Sequence, residues 1–169
     1  MLEILGGTPW WVYILFFLLL GIGFKARKPQ IMSLKKVFIL PLAFTAWSLY
    51  SVFTSLNVFF YIFIWLPFLV AGGVFGWFLY RNIKIRADRK KHLIEIPGSW
   101  GTLALILIIF ATKYTFGYLY SEYPHIRKDV FVYGLDTVTS GAITGMFAGR
   151  ALLFVRKFLR APQTDLIEN

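Results

Sequence analysis

Five nearly unbroken apolar stretches, separated by short polar or basic segments, set the layout of the chain. The first gathers Trp10, Trp11, Tyr13 and the run from Ile14 to Leu20, and continues to Phe24. A membrane-crossing helix needs ~20 residues, so the pattern predicts a span over about 5–24. A signal peptide would carry basic residues before its apolar run. Here Glu3 precedes the run and Lys25, Arg27 and Lys28 follow it, so a retained helix is expected. Spans two and three are predicted over about 34–53 and 58–80, joined by the polar turn Thr54 to Asn57. Ser33 is the expected N-cap of span two. Pro41 lies inside that span and predicts a kink, tolerable in a membrane where neighbours satisfy the freed carbonyl. Spans four and five are predicted over about 100–120 and 130–154, with a frayed polar tail over 161–169.

The segment from Arg81 to Ser99 reads differently. Ile83 and Ile85 alternate with Lys84 and Arg86, Ile94 and Ile96 flank Glu95, and Asp88-Arg89-Lys90-Lys91 lies between. That alternation predicts a β-hairpin with a polar tip; a charged amphipathic coil is the alternative. Pro97-Gly98 would stop the second strand, and Ser99 would cap span four. The expected fold is an all-α integral membrane bundle of five transmembrane helices. It forms one domain over 1–160, with a short cytoplasmic hairpin-like loop between helices three and four.

Composition agrees with a bilayer as solvent. Hydrophobic residues make up 58% of the 169, aromatics 20% and charged residues 15%, against about 25% charged in soluble domains. The net charge of +10 has two explanations, nucleic acid or the positive-inside rule, and its distribution separates them. Lys25 to Lys36, Arg81 to Lys91 and Arg156 to Arg160 hold most of the cations and share one side if there are five spans. The other side has Arg127 and Lys128. This asymmetry predicts the N-terminus outside and the C-terminus in the cytoplasm. It removes the need for a nucleic-acid partner and leaves the bilayer, anionic lipids included, as the expected one. With no cysteine, thiolate metal sites and disulfides are excluded.

Two opposite charges fall well inside spans four and five, away from their ends. Lys113 lies seven residues before Tyr120 and Asp136 seven after Asp129. On antiparallel helices both would sit roughly 10 Å below the same boundary. They are expected to pair, since a lone charge at such depth costs ~2.5–3.5 kcal/mol. The pair either fixes helix register or forms a ligand site; outward snorkelling of Lys113 is the alternative to pairing. Gly72 and Gly76 in span three, and Gly141, Gly145 and Gly149 in span five, make small-xxx-small rows suited to close helix packing. Beside the second row, Asp136, Ser140, Thr144 and Ala148 would pack or line a narrow polar crevice. Arg150 is about 21 Å beyond Asp136 and is expected at the lipid headgroups. His92 and His125 lie in separate segments, and no nucleophile–base or metal-ligand motif is present. No catalytic residue, metal or cofactor is expected.

Thr8-Pro9-Trp10-Trp11-Val12, Ser33-Leu34 before a proline-containing span, Ile96-Pro97-Gly98-Ser99, Lys113-Tyr114 and Gly149-Arg150 together resemble a family of small bacterial inner-membrane proteins known only as a domain of unknown function. The layout is also similar, more weakly, to CcdC-type membrane proteins. The resemblance implies a bacterial inner membrane and transfers no catalytic residue. The expected function is interaction or assembly, the glycine faces packing against another copy or another membrane protein. A small transporter using Lys113 and Asp136 is the alternative, and a lipid-handling enzyme near Arg150 is a third reading.

Overall fold

The computed structural model describes residues 10–55, 57–98 and 100–166. Its elements in chain order are α1 (Trp10–Lys25), β1 (Gln30–Ser33), α2 (Leu34–Val37), α3 (Ile39–Phe53), α4 (Val58–Tyr80), β2 (Arg86–Asp88), β3 (Leu93–Ile96), α5 (Trp100–Glu122), a 3-10 turn (Pro124–Lys128) and α6 (Val130–Arg160). Among the described residues, four stretches are long and apolar enough to cross a membrane: Leu34–Phe53, Val58–Tyr80, Leu103–Glu122 and Val130–Arg160. The apolar part of α1, Val12–Lys25, is shorter. The span start expected near Leu5 and the cap expected at Ser99 lie outside the described residues.

The chain forms two compact groups. In the first, over residues 1–30 and 97–128, α1 packs antiparallel to α5. Phe16 meets Phe110 at 5.2 Å, and Gly23 lies against Leu103. The Arg27 guanidinium stands 4.5 Å from both the Phe24 and Trp100 rings. At the Pro97-Gly98 junction a Cβ on Gly98 would overlap the Arg27 carbonyl. Only glycine permits that approach.

The second group, over 31–96 and 129–169, holds α3, α4, α6 and a sheet of order β1-β3-β2. The pairs Trp65 with Gly141, Leu69 with Gly145 and Gly73 with Gly149 ascend together, so α4 and α6 run parallel. Against α6, α3 runs antiparallel: Phe44 stacks on Phe147 at 5.1 Å, and Ser51 receives the Tyr133 hydroxyl. Val52, Tyr61 and Trp65 are buried at one end of this packing. Trp65 is no interfacial anchor; its indole N–H donates to the buried Ser48 hydroxyl at 2.6 Å, the polar handle that a buried Trp needs.

Several boundaries depart from the sequence reading for definite reasons. The second span breaks at Phe38, not at Pro41. A proline lacks the N–H that would bond four residues back, and its ring crowds that carbonyl. The disturbance therefore falls on Val37 and Phe38, and Pro41 sits in the first turn of α3. Ser33 has the extended N-cap conformation but no side-chain cap bond; the Leu34 N–H donates to the His92 carbonyl instead. The unassigned N-caps are Asn57, which accepts from Phe60 N–H, and Asp129, which accepts from Phe131 and Val132. Helix α6 runs on to Arg160. Its 31 residues span about 46 Å, well beyond a ~30 Å hydrocarbon core.

The hairpin exists with a different extent. Arg86 pairs with Glu95, Ala87 with Ile94 and Asp88 with Leu93, while Ile83 and Ile85 precede the strand. His92 closes the turn at a positive φ of 54°. The strand Gln30–Ser33 was not expected; it covers the edge of β3, which an isolated hairpin would leave open. The tail was expected to fray, yet residues 161–166 are pinned. Gln163 forms a parallel bridge with Ala87, Thr164 N–H donates to the Ala87 carbonyl, and Lys91 pairs with Asp165 at 2.9 Å.

Candidate functional site

The closest packing in the second group is the seam between α4 and α6. A Cβ added to Gly72 would overlap the Ala142 carbonyl, and one on Gly76 that of Met146. From the other helix, Gly145 and Gly149 abut the carbonyls of Leu69 and Gly73, and a Cβ on Gly141 would stand 2.8 Å from the Trp65 carbonyl. The two glycine rows thus meet each other within one chain. They are not open faces awaiting a second copy, the use the sequence reading gave them. The shared four-residue period marks both rows as packing faces, but it does not say which helix meets which.

The polar row of α6 turns toward α3. Ser140 and Thr144 are buried, and the Thr144 hydroxyl reaches the Phe44 carbonyl at 3.5 Å. The Ser140 hydroxyl lies 3.4 Å from an Asp136 carboxylate oxygen. At Thr144, 1% exposed, the row is closed by packing against α3. Asp136 is half-buried on α6 and Lys113 half-buried on α5. They belong to different groups of the fold.

One end of the second group collects its cations. Lys35 and Lys36 start the segment leading into α3, Arg81 to Lys91 follow α4, and Arg150 to Arg160 end α6. Several of them do structural work there. Lys157 Nζ donates to the Tyr80 carbonyl at 3.0 Å and to that of Ile83, capping α4. Arg89 donates to the carbonyls of Phe158, Leu159 and Ala161, capping α6. Cations on the last carbonyls of a helix also suit its dipole. Arg150, expected at headgroups, is half-buried, with its guanidinium 4.7 Å from the Tyr80 ring and 5.2 Å from that of Phe154. The ring faces supply cation–π attraction.

Asp88 sits at the centre of this end and is 1% exposed. Burial acts to raise its carboxyl pKa. Hydrogen bonds from the Gln163 side chain and from the Lys91 and Leu166 backbone outweigh it and hold the group below its ordinary value. The Gln163 amide donates at 2.8 Å and Lys91 N–H at 3.1 Å. The geometry is that of a clasp between hairpin and tail. Among the described residues, no group of three or more His, Cys, Asp or Glu is placed to hold a metal.

No curated protein and no solved structure matches the chain, and the likeness to CcdC-type proteins is unconfirmed. A family described as "Family of unknown function (DUF6622)" matches residues 1–163. The chain, with its glycine seam and clasped basic end, belongs to that family of unknown function.

Proposed function

We propose that the chain is a five-crossing protein of the bacterial inner membrane, N-terminus outside and C-terminus in the cytoplasm, that acts by interaction and assembly and not by catalysis. One observation carries the reading: α4 and α6 are parallel, glycine-to-backbone neighbours, and the cations of their group gather at one end. Parallel neighbours require the chain to cross back between them, and α5 is the apolar helix available for it. The cation asymmetry is what the positive-inside rule expects of a cytoplasmic end. The bacterial setting rests on the resemblance noted from the sequence.

The seam supports a rigid membrane core, with the sheet and tail as a basic platform on it. Since the glycine rows face each other, assembly with another copy or another membrane protein uses surface outside the seam. The closure of the polar row at Thr144 disfavours a transport path along α6. Chemical crosslinking in native membranes tests the reading. It should give a discrete adduct of higher mass, and recovery of monomers alone would count against assembly.

A further inference from the structure

We infer that the α4–α6 face carries a binding groove for one anionic phospholipid, an inference that rests on the membrane reading above. A trough with a volume of about 440 Å³ runs beside the glycine seam. Gly73, Gly145 and Gly149 form its floor because they project no side chain; Val74, Trp77 and Leu152 are among its walls. Its outer lip is open, with Val74 53% and Leu152 60% exposed. The lining is almost wholly apolar, as an acyl chain requires.

Two cations mark the groove's end. Arg156 lies one turn beyond Leu152 on α6, and its guanidinium stands 5.3 Å from the Trp77 ring. Arg81 follows on α4, 4.8 Å from the ring of Phe78, another groove residue. Both side chains are exposed. From Val70 to Arg81, and from Gly145 to Arg156, the rise is about 16 Å. Half of a ~30 Å hydrocarbon core is about 15 Å. A chain laid in the trough would therefore reach across one leaflet and bring its phosphate to the two guanidiniums. Arginine suits that contact, because its planar fork donates to phosphate oxygens in pairs. The charge and the apolar length together select a phospholipid with net negative charge over a zwitterionic one.

The test uses the full chain in lipid nanodiscs, with lipids retained after detergent extraction counted by native mass spectrometry. Phosphatidylglycerol should be retained over phosphatidylcholine. Arg81→Gln and Arg156→Gln should each weaken retention about fivefold, and Val74→Trp, which fills the trough, should abolish it. Lys36→Gln, a charge loss at the same end but outside the groove, should leave it unchanged. Equal retention of both lipids, equal loss in Lys36→Gln, or no effect of Val74→Trp would overturn the groove. So would a disulfide-linked dimer from Val74→Cys in the otherwise cysteine-free chain, since a second copy would then occupy the trough. Failure of the groove leaves the protein membrane-bound, with no lipid held specifically in the trough. Failure of the membrane reading would instead show as a chain recovered in water without detergent.

Discussion

Glycine positions in this chain fall into two kinds that one substitution series separates. Gly145 and Gly149 each face a backbone carbonyl that cannot yield, whereas a Cβ at Gly117 or Gly134 meets nothing within 4 Å. Gly145→Val should therefore force α4 and α6 apart and cost about 3 kcal/mol or more. Gly134→Ala should be neutral or stabilising by up to about 1 kcal/mol, because alanine is the better helix former. Thermal melting in detergent reads both. A second prediction concerns Ser48, the acceptor for the Trp65 indole. Ser48→Ala leaves a buried N–H without its partner and should cost about 1 kcal/mol. The glycine rows were legible as packing faces from their spacing alone. Their mutual contact was not, because spacing says how closely a helix can be approached and nothing of which helix approaches. The partner of Trp65, seventeen residues earlier, needed the fold.

The clasp between hairpin and tail makes the pH prediction. Asp88 has a folded-state pKa below its ordinary 3.8. Its stabilising effect is thus fully present above about that pH and is lost as pH falls through the depressed value. Hydrogen exchange at Thr164 N–H, which donates to the Ala87 carbonyl, should stay slow from neutral pH down to about 4 and lose protection below it. At neutral pH Asp88→Asn should already speed that exchange, with α4 unaffected. Arg89→Gln frees three carbonyls at the end of α6 and should loosen the same segment, at about 1 kcal/mol. The elements themselves were unevenly legible. Helix α4 has the bounds its apolar run predicts, since a continuous run between Asn57 and Arg81 leaves little choice. The break at Phe38 was misplaced because a proline acts on the turn before it. Strand β1 and the pinned tail escaped because each is only a few residues long, and their bonds join segments far apart in sequence.

For the protein as a whole, the amount of helix and its apolar character follow from composition and patterning, while the proposed course through a membrane rests on charge. Among the described residues four stretches have the length to cross, and the proposed fifth crossing would use α1, whose apolar part Val12–Lys25 is shorter. The number matters because it decides whether the termini lie on the same side. Dual reporter fusions, scoring periplasmic and cytoplasmic activity, test this most directly when placed at the N-terminus, within 81–99 and after Asn169. Five crossings predict the N-terminal reporter active outside and the other two active in the cytoplasm. An N-terminal reporter on the same side as the C-terminus, or a periplasmic signal from 81–99, would contradict the account.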